Sequence, residues 1–251
     1  MREPTSTIPA RKIDIVQDIQ WKILSGDWGP GAQLPSEREL SAEYAVSRPV
    51  IREALSGLVE LGFIEIHPGR GSFVREVRVD DLSNSLTRAA TLSKTTARDL
   101  VVARVGLECS AVEAAAQRDD TDIEALKASL RAHSAATGVQ SLALTDLAFH
   151  EAVVRSSANP VLVLMFGAIR NQVFALMLRS HSDTSVHQLG EPYHEKIVQA
   201  IAERNPQRAS DLMREHLELA LNLYGSDLDR PIADVVEARG LQTSATLLPS
   251  S

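Results

Sequence analysis

From Lys12 to Ser25 the apolar residues Ile15, Val16, Ile19, Ile23 and Leu24 recur in steps of three and four, the spacing of one buried helical face. Gly26 follows as a helix C-cap, and Gly29-Pro30-Gly31 makes a turn. Ser36 with Glu39 three residues on has the spacing of a capping box, which predicts a second helix from about Pro35 to Tyr44. Ala45-Val46 turns the chain. Ser47 then caps a third helix, with Pro49 in its first turn, where a backbone N–H needs no intrahelical partner. This helix carries Val50, Ile51, Ala54, Leu55, Leu58 and Val59 and ends near Gly62. Phe63–Ile66 and Ser72–Val74 read as short strands joined by His67-Pro68-Gly69-Arg70-Gly71.

After a charged linker at Val77–Asp81 the pattern is helical almost throughout, over residues 81–92, 96–117, 121–136, 142–157, 160–181, 187–204 and 206–224. Asn159-Pro160 and Asn205-Pro206 mark two helix starts. Residues 1–9, polar with two prolines, are expected to be disordered. Residues 226–251, with Pro231, Gly240 and a Ser/Thr/Leu/Pro-rich end, are expected to form a partly helical or disordered tail.

The first three helices and the hairpin have the order of a winged helix-turn-helix over residues 10–76, and a helical domain follows over 80–225. Aromatics are only 4% of a chain that is 44% hydrophobic, so the cores must be built from Leu, Val, Ile and Ala. The single Cys109 excludes an intramolecular disulfide, suits a reducing cytosol, and is expected as a small packed core residue. No apolar run reaches ~18 residues, so no membrane span is expected, and the N-terminus carries no signal-peptide core. A cytoplasmic protein is the expectation.

A net charge of −7 does not announce a nucleic-acid partner, and residues 1–78 hold ten basic against eleven acidic groups. Local placement carries the argument instead. Arg48 and Arg52 stand one turn apart on the third helix, where forked donors can reach guanine O6 and N7 in a major groove. Ser47 and the free amides at the helix start can meet a phosphate. Arg38, near the start of the second helix, suits backbone or base contact. Arg70 lies in the wing, where Gly69 and Gly71 allow close approach to a minor groove. Modest affinity per protomer, and hence a homodimer on a pseudo-palindromic operator, is expected.

These residues resemble the GntR family of bacterial transcription regulators. The resemblance runs over about residues 12–75. It is carried by Leu34-Pro35-Ser36-Glu37-Arg38-Glu39-Leu40, Val46-Ser47-Arg48, Val50-Ile51-Arg52-Glu53-Ala54-Leu55 and Gly69-Arg70-Gly71-Ser72-Phe73-Val74. It implies that Arg38, Arg48, Arg52 and Gly71 contact operator DNA. Ser47, Pro49 and Arg70 complete the set of DNA-facing residues expected here.

In the helical half, Asp146 and His150 are four apart and share a helix face; His194 and His216 lie further on. One carboxylate with three imidazoles suits zinc or a similar divalent ion and leaves positions open, although such residues are also ordinary polar groups of a helix face. This half resembles the ligand-binding domain of the FadR subfamily, through Arg104 and Glu108, Asp146 and His150, Asn159, His194 and His216. The resemblance implies a mainly α protein whose C-terminal part is an all-helical antiparallel bundle. It also implies one divalent ion on Asp146, His150, His194 and His216, zinc first, with nickel or manganese as alternatives. A small carboxylate or sugar acid would complete the coordination, with Arg104 and Asn159 as effector-binding residues. Arg104 could instead be a salt bridge to Glu108, and Asn159 simply a helix cap. His133, His181 and His187 show no partner pattern and are expected at the surface. The leading expectation is a non-enzymatic, ligand-responsive regulator, a repressor of a catabolic operon. The alternatives are a metal-dependent hydrolase fused to a DNA-binding head, or a regulator whose metal is structural or is itself the signal.

Overall fold

The computed structural model describes residues 11–76 and 79–241, without the side chains of residues 79–82, His187 and Glu191. The expectations for residues 1–9 and for the end of the tail, 242–251, lie outside the described residues. The chain divides into two compact units, Met1–Val77 and Arg78–Ser251.

In the first unit, α1 (Lys12–Leu24), α2 (Glu37–Glu43) and α3 (Arg48–Glu60) precede a hairpin of β1 (Ile64–His67) and β2 (Gly71–Val74). Ile15 and Ile19 of α1 and Ile51, Ala54 and Leu58 of α3 are fully buried. With Leu34, Leu40, Leu55, Ile64 and Val74 they make one core. Ser36 caps α2 as its spacing predicts. Its backbone N–H donates to Glu39 Oε2 at 2.8 Å, and the Glu39 N–H donates to Ser36 Oγ at 3.3 Å. Two features of the hairpin escaped the sequence pattern. Residues 32–34 run along the free edge of β2, with Leu34 N–H donating to Ser72 O and Val74 N–H to Ala32 O, both at 2.8 Å. Gly71 has φ +112°, and a Cβ there would meet Gln33 Nε2 at 2.9 Å.

The second unit is all helical. It comprises α4 (Val79–Leu92), α5 (Ala97–Gln117), α6 (Ile123–Ser134), α7 (Val139–Ser156), α8 (Pro160–His181), α9 (Thr184–Ala202), α10 (Pro206–Leu223) and α11 (Ile232–Ala238). Thr96, Asp122, Asn159, Asp183 and Asn205 cap α5, α6, α8, α9 and α10 through side-chain acceptors. Helices α5 and α10 pack closely, as do α7 with α8 and α9 with α10. α8 runs through the middle, and every residue from Gln172 to Arg179 is buried. By length and mean composition it could cross a bilayer, although Arg170, Asn171 and Gln172 interrupt its apolar run. Yet it carries buried Arg170 and Arg179, bonded to Glu151 and Asp227, as a helix does at the centre of a folded bundle. Cys109 is buried as expected, and burial pushes its thiol up to about 11.

The expected tail is partly helical, as α11 shows, but its described part packs into the helical unit. Tyr224, Leu228, Ile232, Val235 and Val236 join the main core of the helical unit. Asp227 gathers Arg179 (3.1 Å), Arg230 (3.3 Å) and Arg239 (2.6 Å). Residues up to Leu241 thus pack with the bundle, because short apolar steps such as Ile232, Val235 and Val236 suffice where a core groove receives them.

Candidate metal centre and nucleic-acid interface

Helix α7 sets Asp146 and His150 one turn apart, α9 supplies His194 and α10 supplies His216. Four atoms of these side chains form a closed ring. His194 Nε2 is 3.2 Å from His216 Nε2, which is 3.3 Å from His150 Nε2. Asp146 Oδ1 lies 3.4 Å from His150 Nε2 and 3.3 Å from His194 Nε2. Ligands held at about 2.0–2.2 Å by a four- to six-coordinate ion stand roughly 3.0–3.4 Å from their neighbours, so the spacing fits one divalent ion. Asp146, His150 and His194 are buried, and His216 is half-buried.

The protonation pattern fits too. His150 Nδ1 donates to Glu108 Oε2, which leaves its Nε2 lone pair toward the ring. Burial, reinforced by neighbouring imidazoles, holds His216 well below its ordinary value. Burial likewise lowers His194, against the pull of Asp146. Burial alone would raise Asp146, but the neighbouring imidazoles of His150, His181 and His194 keep it well below the carboxylate range. Burial would lower His150, but the Glu108 carboxylate raises it, so an ion would take two imidazoles already held neutral and displace a proton from the third. Asp146 Oδ1, His194 Nδ1 and His216 Nδ1 are buried without a hydrogen-bond partner among the described residues.

His133 and His181, expected at the surface, are drawn inward, His133 fully so. His181 Nε2 donates to Asp146 Oδ2 at 2.9 Å. The Thr145 hydroxyl gives its proton to the Ser141 carbonyl at 2.9 Å, so His133 Nδ1 donates to that hydroxyl, also at 2.9 Å. Isolated histidines give no spacing signal, which is why the sequence missed both. His133, Asp146 and His181 have ligand-type atoms within 4.8 Å of one another. The bond from His181 holds the Asp146 carboxylate through Oδ2 and leaves Oδ1 toward the ring. The His187 side chain lies outside the described ones.

A cavity of about 50 Å³ adjoins the ring, lined by Arg104, His133, Asp146, His181, His194, His216, Ser180 and Tyr224 among polar groups and by Leu176, Met177 and Val186 among apolar ones. Arg104 is buried; its Nε donates to Glu108 Oε1 at 2.6 Å, while Nη2 has no hydrogen-bond partner among the described residues. The salt bridge to Glu108 that the sequence offered is therefore present, and Arg104 also lines the cavity. Asn159 does not reach the cavity. It is exposed, and its Oδ1 accepts from the N–H groups of Val161 (3.0 Å) and Leu162 (3.3 Å) at the start of α8, so the cap reading replaces the effector one.

In the first unit Arg38, Ser47, Arg48, Pro49, Arg52, Arg70 and Gly71 are all exposed. Ser47 caps α3 by position without a side-chain cap bond, so its hydroxyl is not spent on the helix. Arg52 forms a forked pair with Glu37, and the Arg70 guanidinium lies 5.7 Å over the Phe73 ring.

Fold and surface define a DNA-binding regulator with a ligand-sensing helical domain. Residues 12–74 match the bacterial regulatory proteins of the gntR family, and residues 99–219 match the FCD domain. The chain is similar to the HTH-type transcriptional regulator LutR of Bacillus subtilis (30% identity, covering 78% of this chain and 92% of that protein). It is similar to Mce2R of Mycobacterium tuberculosis (31%, 82% and 88%) and to the repressor NanR of Salmonella newport (28%, 81% and 81%). A solved Streptococcus agalactiae GntR structure matches with a TM-score of 0.66 at 25% identity, over 84% of this chain and 99% of that one. The chain belongs to the GntR family, as a FadR-type, ligand-responsive transcription regulator with an FCD effector-binding domain. Its families and relatives are regulators, not enzymes, so the hydrolase alternative falls away.

Proposed function

We propose that the helical unit senses a small carboxylate or sugar acid beside one divalent ion held by Asp146, His150, His194 and His216. Zinc matches three imidazoles and one carboxylate best, with nickel and manganese as alternatives. The ring of ligand atoms at 3.2–3.4 Å carries this reading. When bound, the ion supplies a positive charge that an anionic oxygen can ligate in place of water. Arg104 offers Nη2 to the same anion across the cavity, a charge-assisted contact. Leu176, Met177 and Val186 limit the size of what fits.

The DNA side follows from the exposed arginines. Arg48 and Arg52 read base edges, Arg38 and Ser47 hold the backbone, and Arg70 beside Gly71 enters the minor groove. Pro49 presets the first turn of α3. A head without net positive charge needs a second copy for useful affinity, so a homodimer binds a pseudo-palindromic operator in the cytoplasm. Effector binding changes operator affinity through its preference for one arrangement of the dimer. Repression of a catabolic operon is the proposed output, in keeping with the relative named as a repressor.

A melting screen over hydroxy acids and sugar acids, run on metal-loaded and chelator-stripped protein, tests this reading. It requires a carboxylate that raises Tm only in the loaded protein. Equal shifts in both forms, or none across the panel, would overturn it.

A further inference from the structure

Glu108 neither lines the cavity nor belongs to the ring of ligand atoms, yet both anchors of the site converge on it. It is a fully buried carboxylate on α5. One oxygen accepts the Nε–H of Arg104 at 2.6 Å, one turn back on the same helix. The other accepts the Nδ1–H of His150, which comes from α7. An ionised carboxylate only accepts, so both neighbours must donate. That fixes a proton on His150 Nδ1, so that in the neutral ring the Nε2 lone pair faces His216 and Asp146. It also fixes the Arg104 fork with Nε committed and Nη2 left over at the cavity. An ion pair serving only the packing of α5 would need one oxygen and would have no reason to reach α7. A glutamine could not replace it, because its amide offers one accepting end and one donating end to two donors.

We propose that Glu108 is the positioning residue of the sensing site, holding a metal ligand, His150, and the anion anchor, Arg104, on the two oxygens of one carboxylate. This rests on the reading of the site as a metal-and-carboxylate sensor. Carboxylate partners of metal-bound histidines are worth roughly 10–100-fold in metal affinity. Because Glu108 also sets Arg104, its loss reaches the effector as well.

The test compares wild type with Glu108→Gln in the full-length protein. Zn²⁺ affinity is measured by competition with a chelating dye. Acetate, the smallest carboxylate probe, is titrated into the Co²⁺-loaded protein and read from the visible absorption of the ion. Zn²⁺ binding in Glu108→Gln is expected to weaken roughly 10–100-fold, and acetate binding to weaken with it. A folded variant with a lowered Tm but Zn²⁺ affinity within about threefold of wild type, well short of that range, means that Glu108 serves packing alone and overturns the proposal. A wild type that binds no Zn²⁺ overturns the sensing-site reading itself. If the variant fails to fold, nitrogen-15 spectra of wild type decide. A proton on His150 Nδ1 with and without Zn²⁺ supports the proposal, and a metal-free protein with that proton on Nε2 contradicts it.

Discussion

Arg52 on the reading helix is held by Glu37 of the preceding helix through two bonds, Nε to Oε1 at 3.2 Å and Nη2 to Oε2 at 3.0 Å. The pair faces solvent, and the bond from Arg52 is the main cause lowering the Glu37 carboxyl. On the proposed base-reading role of Arg52, a guanine edge takes over a fork that Glu37 already occupies and aims. Removing the carboxylate charge also removes repulsion from phosphates. Glu37→Gln is expected to bind unrelated duplex DNA more tightly while discriminating less between operator and competitor. Arg52→Ala should lose about tenfold or more of operator affinity, the worth of a forked base contact. Fluorescence anisotropy at one fixed salt concentration measures both. Unchanged operator binding by Arg52→Ala would remove this residue from the reading face.

The wing makes a separate prediction. Gly71 has φ +112°, and a Cβ would press on Gln33 Nε2, whose N–H donates to the Arg70 carbonyl at 2.7 Å. Gly71→Ala should loosen the hairpin tip and cost the DNA-binding unit roughly 1 kcal/mol or more. Chemical denaturation of the full chain, followed through the amide signals of the wing, checks this. An unchanged unit would show that the tip accepts a side chain.

Much of this architecture was legible in the residues. The capping box at Ser36 and Glu39, the proline in the first turn of α3 and the apolar steps of α1 depend only on near neighbours, so periodicity finds them. Asp146 and His150 were legible for the same reason, being one turn apart on α7. That His194 and His216 join them is a matter of helix packing; the residue types allowed it and the family resemblance pointed there more strongly. Packing also decides what the pattern could not reach: Glu108 meeting His150, His181 meeting Asp146, and residues 32–34 lying along β2. Asn159 was over-read, since an Asn before Pro is a cap first. The segment after Tyr224 was under-read, since its apolar residues are too few to show a period until the bundle receives them.

That segment supplies a stability prediction. Burial would raise the Asp227 carboxyl, but Arg239 and Arg179 lower it. Its folded value therefore lies below the unfolded one, and its stabilising contribution is complete above about pH 4 and is lost as the pH falls through the lowered value. Asp227→Asn leaves Arg179 buried with reduced compensation and should cost roughly 3 kcal/mol at pH 7. Thermal melts across the pH range should show the gap between variant and wild type closing below about pH 4. A gap independent of pH would assign the loss to packing.

The sensing residues should separate from the reading ones. His150→Ala with His194→Ala leaves two of the four ligands and is expected to abolish both Zn²⁺ uptake and any effector-induced release from DNA. Operator binding without effector should stay within about threefold of wild type, since additivity fails only for residues in contact or sharing partners. Loss of bare DNA binding in this variant would mean that the ring supports the fold rather than the response.

Asp146, His150, His194 and His216 are proposed to hold an ion at which the effector binds. The most direct measurement is calorimetric titration of Zn²⁺ into chelator-stripped protein, with elemental analysis of the dialysed product. Saturation at one ion per chain, a raised Tm, and weaker binding at acidic pH, where imidazoles must shed a proton to ligate, are expected. No heat, no retained metal and an unchanged Tm would contradict it and leave the four residues as a buried polar cluster.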